Sequence, residues 1–470
     1  MDASNSSHFP PHFLVGIGGS GMLPLAMILR ARGVAVAGSD RGLDQGRLSA
    51  KFDSLRAAGI ALFPQDGSGV VSRDQIVVAS AAVEESVPDI VAANALGCVR
   101  ATRAETLAAL FNAATLPIGV AGTSGKSTVT GMIAWILHAV GRDPTAMNGA
   151  VMKNFVSSDT PFASALVGQG DAFVSEVDES DGSIALYRPA VAVLNNVSLD
   201  HKGLDELRQL FGDFARAADH VVANVGDAET AALLAGLPRV TRFAVEGEAD
   251  LVAERIAPEP FAVRFDLVAG SARHRVRLQV PGRHNVSNAL AAIGACVAAG
   301  VPLIAAARAV EGFTGLRRRF ELVGTAAGVS VIDDFGHNPD KIAATLDTLH
   351  AQAGRLLILF QPHGYGPLKQ MGGELVRTLV AKLAPGDVLV MPDPVYQGGT
   401  VAREVGSDWV VAGVVAGGRE AHHDPDRTDA AARLVAMAQG GDRIIVMGAR
   451  DDTLSLLAAD MVERLRATRS

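Results

Sequence analysis

The 470-residue chain has two cysteines, Cys98 and Cys296, too few for a disulfide framework and wrongly spaced for a metal knot. Aromatic residues make up only 5%. Positive charge is not in excess: 42 Lys and Arg stand against 50 Asp and Glu, a net charge of −8. That balance removes the electrostatic warrant for nucleic-acid binding, so no nucleic-acid partner is expected. No run approaches the ~20 apolar residues that a membrane span needs, so no membrane association is expected. The first 13 residues lack a cationic segment followed by an apolar one, so no signal peptide is read and a cytoplasmic location is expected.

What is abundant is glycine, with 50 residues, inside a 49% hydrophobic chain. That profile fits an α/β protein whose strand-to-helix turns need residues without a Cβ. The length suggests about three domains.

His12 to Gly16 reads as a buried strand, and Met22 to Arg32 has helical spacing. Between them, Gly16, Gly18 and Gly21 fit G-x-G-x-x-G, with Asp40 24 positions after Gly16. Bare glycines let a backbone approach a pyrophosphate seated on a helix N-terminus. The segment alone leaves three readings open: a dinucleotide site, another nucleotide-diphosphate site, or a tight turn. Strand-like runs at Ile76 to Ala81 and Gly97 to Arg100 continue a βαβ alternation. Arg103 and Glu105 then precede a helix near Thr106 to Ala113, as site residues or as a solvated helix start. Asn112 to Pro117 reads as a linker.

Leu116 to Ala121 is strand-like and runs into Gly122-Thr123-Ser124-Gly125-Lys126-Ser127-Thr128, followed by an apolar helix. Strand, Gly-rich loop and helix are the context of a phosphate loop. Backbone N–H groups cradle phosphate oxygens, Lys126 offsets the terminal phosphates, and the Ser127 hydroxyl reaches Mg²⁺. Val120 replaces the first glycine of the usual spacing, and Gly122 fits a shorter variant. Such a loop predicts ATP and Mg²⁺ and argues against a dehydrogenase.

Two further strands, Ala172 to Val177 and Ala190 to Leu194, end in Glu176-Val-Asp-Glu-Ser-Asp181 and Asn196-Val-Ser-Leu-Asp-His201. Active groups of open α/β sheets lie beyond carboxyl strand ends. Singly, each acid reads as a solvated loop residue and His201 as an ordinary polar histidine; taken together after a phosphate loop, Glu176 with Ser127 would meet the needs of Mg²⁺ and His201 could ligate a second metal. In the C-terminal part, Leu356 to Phe360, Val388 to Met391, Trp409 to Val414 and Arg443 to Met447 are strand-like. Met447 to Asp452 is read as lining a cleft or as an ordinary strand-end turn, and His422-His423 as a surface pair.

Taken in order, these motifs resemble the Mur ligase family of ATP-dependent peptidoglycan ligases. Pro281-Gly-Arg-His-Asn-Val-Ser-Asn-Ala289 resembles its adenine-side motif. Arg318-Arg319-Phe320 followed by Asp333-Asp-Phe-Gly-His-Asn-Pro339 resembles the opening of its C-terminal domain. The start and Gln361-Pro-His363 are similar to the branch that joins an amino acid, by default L-alanine, to the carboxylate of UDP-N-acetylmuramate. The resemblance implies an α/β, three-domain architecture. Residues 1–113 would form a Rossmann-like UDP-sugar domain, 114–322 a central P-loop ATPase domain, and 323–470 a Rossmann-like amino-acid domain.

It also implies roles. Gly18, Gly19, Ser20, Gly21, Asp40 and Arg103 would bind the UDP-sugar. Gly122 to Thr128, Asn285, Asn288, Arg319 and Asp334 would bind ATP. Ser127, Glu176 and His201 would hold metal, Lys126 and Arg318 would offset phosphate charge, and His337 and His363 would line the amino-acid side. The partners implied are UDP-N-acetylmuramate and a free amino acid or peptide, acting on a monomer or homodimer. The chemistry implied is an acyl phosphate, attacked by an amine, in a site closed against water.

The pattern departs from the family in three places. The family's arginine-rich stretch after Gln-Pro-His reads Gly364-Tyr-Gly-Pro367, so two guanidinium groups suited to a carboxylate are missing. Lys369 offers only a point charge in their place. Phe335 stands where a tyrosine is usual, and Arg208 lies where many members carry a modified lysine. These departures keep an acceptor peptide, a different amino acid, and a non-catalytic binding protein in view.

Overall fold

The computed structural model describes residues 9–81, 83–198, 202–395, 403 and 405–467. The chain divides into two compact units. The first comprises Met1–Arg255, Phe265–Leu278 and Asn285–Thr314, and the second Ile256–Arg264, Gln279–His284 and Gly315–Ser470.

The first unit opens with five parallel strands in the order Ala61–Phe63, Val36–Ser39, His12–Val15, Ile76–Ala79, Val99–Thr102. The chain leaves His12–Val15 toward one side and returns on the other. This makes a switch point, and the Gly16–Gly21 turn lies at its carboxyl end. Helix Met22–Ala31 follows and buries Leu25, Ile28 and Leu29. Helix Arg103–Asn112 begins with a capping box in which the Thr102 side chain accepts from the Glu105 N–H and Glu105 accepts in return. That accounts for Glu105 as a helix start.

A second sheet of this unit carries, in order, Val240–Val245, His220–Asn224, Val191–Leu194, Leu116–Ala121, Ala172–Glu176, Thr145–Met147 and Ala165–Leu166. Leu116–Ala121 is buried almost throughout, as a parallel strand covered on both faces must be. It pairs with Val191–Leu194 on one side and Ala172–Glu176 on the other, in registers that set Ala121 beside Leu194 and Val120 beside Glu176. Three strand ends therefore converge on one spot. Helix Lys126–Ala139 leaves from it, burying Val129, Met132, Ile133, Ile136 and Leu137.

The second unit is built on six strands in the order Glu321–Ala326, Val329–Asp334, Arg443–Met447, Leu356–Phe360, Val388–Met391, Glu420–His423, antiparallel only at the first pair. Asp334, Met447 and Phe360 sit level across three neighbouring strands, so the turns that follow them share one edge.

Trp409 to Val414, expected as a strand, is part of helix Ser407–Ala416. A short apolar run carries both periods, and length and packing decide. Here Val410, Val411 and Val414 are buried, at the i, i+1 and i+4 positions of a helical face. His422 and His423 close a strand, with His423 Nε2 2.8 Å from Asp393.

Candidate active site

In the first unit, the Gly16–Gly21 turn is braced by the residues that precede a second helix. Gly18 N–H donates to Asp40 Oδ2 at 2.9 Å, and Gly42 N–H donates to Oδ1 of the same carboxylate at 2.7 Å. Asp40 thus shapes the turn with both oxygens. Lys51, which sequence reasoning missed, donates to Gly18 O at 3.1 Å. Ser20 is exposed, and Gly19 N–H donates back to Gly16 O. A Cβ on Gly21 would lie 2.9 Å from Arg103 Cδ, so the arginine rests on the glycine turn although the two are far apart in sequence.

Gly122–Thr128 is held from two neighbouring strand ends. Gly125 has φ +85°, and a Cβ there would fall 2.4 Å from Asn195 Nδ2 and 2.5 Å from Asn288 Oδ1. No other residue fits that crossing. Ser124 N–H donates to Asn196 Oδ1 at 2.8 Å, and Asn195 Nδ2 donates to Ser124 O at 2.9 Å and to Asn288 Oδ1 at 3.1 Å. Asn288 in turn donates to Asn285 Oδ1 at 3.1 Å, and both are nearly buried. These contacts engage Asn288 at both ends of its amide. Asn195 and Asn196 were not singled out from the sequence. Asn196 opens the strand-end segment that runs to His201, but the sequence carries no signal that either asparagine holds the phosphate loop.

The Ser127 hydroxyl donates to Glu176 Oε2 at 2.8 Å. A Cβ on Gly149 would lie 2.4 Å from Glu176 Oε1, so the carboxylate needs bare backbone beside it. Hydroxyl and carboxylate side by side form a donor pair that suits Mg²⁺, which takes one or two protein oxygens and leaves the rest to phosphate and water. Among the described residues no group of three or more His, Cys, Asp or Glu side chains forms a larger metal cluster. His201 lies outside the described residues. Lys126 Nζ donates to Gly122 O at 2.8 Å and to Glu179 Oε2 at 2.7 Å.

In the second unit, Arg318 is 7% exposed, at φ +58°. Its Nη2 donates to Gly448 O at 2.7 Å, while Nε and Nη1 make no hydrogen bond. Nε lies 3.5 Å from Asp333 and Nη1 3.6 Å from Asp452. Burial pushes the Asp333 carboxyl above the usual carboxylate range, against the pull of Arg318. Asp334 accepts from Phe320 N–H, Gly336 N–H and the Thr345 hydroxyl at 2.8 to 3.0 Å. The guanidinium of Arg319 stacks 4.1 Å above the Phe335 ring, with Arg318 5.2 Å away.

His337 and His363 meet edge to face with centroids 5.2 Å apart. They line a cavity of about 10 Å³ with Phe360, Leu368 and Met371, room for one small group. Burial, and then the nearby Lys341, push His337 down to about 3. Its Nδ1 stands 2.9 Å from Phe335 O, which places the proton on Nδ1 and the lone pair on Nε2. Beyond His363, helix Tyr365–Lys382 begins after Gly364. Arg403, from a distant part of the chain, brings its guanidinium 5.9 Å from the Tyr365 ring centroid. A guanidinium is therefore present near the place where the local sequence has lost two.

The fold and its Gly-rich loop are those of a P-loop α/β protein. The chain belongs to the Mur ligase family. It matches the models of the Mur ligase family catalytic domain at residues 12–115, the Mur ligase middle domain at 120–296 and the Mur ligase glutamate ligase domain at 318–450. It is 36% identical to a UDP-N-acetylmuramate–L-alanine ligase of Streptomyces coelicolor, over 94% of this chain and 95% of that one. Its fold is similar to the crystal structure of a UDP-N-acetylmuramate–alanine ligase from Thermotoga maritima, with TM-score 0.80, 24% identity and coverage of 98% and 100%. It is also similar to a murein peptide ligase from Psychrobacter arcticus, with TM-score 0.71, 24% identity and coverage of 97% and 99%. Among the described residues no helix is long and apolar enough to cross a membrane.

Proposed function

We propose that this chain is an ADP-forming ligase that joins L-alanine to the carboxylate of UDP-N-acetylmuramate. The observation that carries the reading is the convergence of Lys126, Ser127 and Glu176 at two adjacent strand ends, in a chain whose curated relatives bear that name over nearly its whole length. The three pieces 1–113, 114–322 and 323–470 are read as sugar-nucleotide, ATP and acceptor domains.

A carboxylate oxygen of the sugar attacks the γ-phosphorus of ATP, the bond to the bridging oxygen breaks, and ADP leaves. The amine nitrogen then attacks the carbonyl carbon, loses a proton, and expels inorganic phosphate. Mg²⁺, held by Ser127 and Glu176 with His201 at a second position, would offset phosphate charge. Lys126 and the backbone N–H groups of Gly122–Thr128 bind and orient the triphosphate. Asn195, Asn196 and Asn288 keep the loop in shape, with Asn285 toward the adenine. Gly18, Gly19, Gly21 and Arg103 hold the sugar diphosphate, with Ser20 at the turn's surface and Asp40 bracing it. Arg318, Arg319 and Asp334 carry the roles toward ATP that the family resemblance implies. His337, neutral at physiological pH, offers Nε2 as a hydrogen-bond acceptor on the amino-acid side with His363.

The test is phosphate release from ATP with UDP-N-acetylmuramate and single acceptors. Stimulation by L-alanine supports the reading. Stimulation by a stem peptide alone moves the chain to peptide ligation, which the missing arginines after His363 would then explain. No stimulation by any acceptor overturns both.

A further inference from the structure

Strands Glu321–Ala326 and Val329–Asp334 pair antiparallel with Glu321 opposite Asp333. Residues just before the first strand and just after the second therefore share one edge, and Arg319 meets Phe335 there. Asp334 fixes the backbone on both sides of the meeting. It accepts from Phe320 N–H at 2.8 Å, next to Arg319, and from Gly336 N–H at 2.9 Å, next to Phe335.

The Phe335 ring is itself held. The His337 ring stands at 87° to it with centroids 5.5 Å apart. His337 Nδ1 is 2.9 Å from Phe335 O, and the His337 ring packs against His363. A ring wedged in this way keeps one face for Arg319, whose guanidinium carbon lies 4.1 Å from the centroid. Arg319 Nη1 also donates to Arg318 O at 3.0 Å. Phe335 has no polar side-chain atom, so its attraction for the guanidinium comes from the negative face of the ring. A free arginine loses much rotamer freedom when it grips an anion, and one already set in place loses less.

We infer that Phe335 is a positioning residue whose ring face sets the Arg319 guanidinium before ATP arrives, tightening nucleotide binding without touching the nucleotide. All of these contacts lie inside the second unit. The inference rests on the reading of Arg319 as an ATP ligand.

The test is the affinity of the full chain for a non-hydrolysable ATP analogue with Mg²⁺, with ring-fluorinated phenylalanines placed at position 335. Each fluorine drains charge from the ring face while nearly keeping its shape and apolar area, so it weakens the cation–π attraction alone. Affinity should fall stepwise from one to three fluorines, by about twofold to fivefold in all, the worth of such a pair at a partly exposed site. Phe335→Leu should lose at least as much, and Phe335→Tyr, which keeps the ring face, should restore it. In an Arg319→Ala background most of the fluorine effect should vanish, with a smaller remainder from Arg318 at 5.2 Å. An unchanged melting temperature separates these effects from damage to the fold, and the fluorine series serves alone if Phe335→Leu does not fold. Affinity indifferent to fluorine, when Arg319→Ala itself binds the analogue weakly, overturns the inference. So does a fluorine effect that persists undiminished in Arg319→Ala. Wild-type analogue binding by Arg319→Ala would strike the reading of Arg319 first, and the inference with it.

Discussion

Ser127 Oγ and Glu176 Oε2 stand 2.8 Å apart, although 49 residues separate them in the chain. The hydroxyl comes from the first turn of helix Lys126–Ala139 and the carboxylate from the end of strand Ala172–Glu176. Replacing either as Ser127→Ala or Glu176→Gln removes one oxygen donor of the proposed Mg²⁺ site. The expected result is a fall in kcat of about a hundredfold or more, the scale of losing one charge-stabilising group, with UDP-N-acetylmuramate affinity unchanged. Steady-state phosphate release across a Mg²⁺ titration measures it.

Asn196 holds Ser124 by both its backbone groups, accepting from the N–H at 2.8 Å and donating to the carbonyl at 3.1 Å. Asn196→Ala leaves the Ser124 N–H without its partner in a half-buried loop, while Asn195 still donates to the carbonyl. The expected cost is about 1–3 kcal/mol of stability, with a raised KM for ATP. Thermal melts and ATP titrations read both. A lowered Tm with unaltered KM would separate the brace from the loop's binding geometry.

Arg403 approaches Tyr365 at the start of helix Tyr365–Lys382. If this guanidinium receives the acceptor's carboxylate, Arg403→Ala raises the acceptor KM by about tenfold to a hundredfold, the worth of a charged hydrogen bond. The KM for ATP stays unchanged. Acceptor titrations at saturating ATP provide the measurement.

His337 is pushed down to about 3, mainly by burial, whereas an unfolded histidine titrates near 6.5. Between those values the unfolded chain binds the proton and the folded chain does not. Stability therefore falls as pH drops from about 6.5 toward about 3, and this contribution is fully present above that window. His337→Gln flattens the decline. Urea unfolding midpoints across pH 4 to 7 for the two proteins reveal the difference.

The parts of the site legible in the sequence are those whose chemistry is local. Gly122–Thr128 carries its own strand, loop and helix, and Glu176 stands at the end of a recognisable buried strand. What escaped depends on strand order. Asn195 and Asn196 reach Ser124 because Val191–Leu194 lies next to Leu116–Ala121, and no spacing along the chain announces that neighbour. Arg103 and Gly21 are grouped by the family resemblance, but their contact follows from how Val99–Thr102 and its helix close the first sheet. In the sequence Glu179 is one more acid in a polar turn; its burial beside Lys126 is a property of the fold alone. The misread strand at Trp409 to Val414 shows the limit of apolar runs shorter than two helical turns. There the decision falls to packing, with Trp409 against Gly372 and Val376 against Gly413.

Isotope transfer from substrate to phosphate decides whether the sugar acid is activated as an acyl phosphate. UDP-N-acetylmuramate labelled with ¹⁸O in its carboxylate is turned over with ATP and L-alanine, and the released inorganic phosphate is analysed by mass. One carboxylate oxygen should appear in the phosphate, because amine attack breaks the bond between carbon and the bridging oxygen. Phosphate free of ¹⁸O, formed at the same rate as the amide product, would contradict activation through an acyl phosphate.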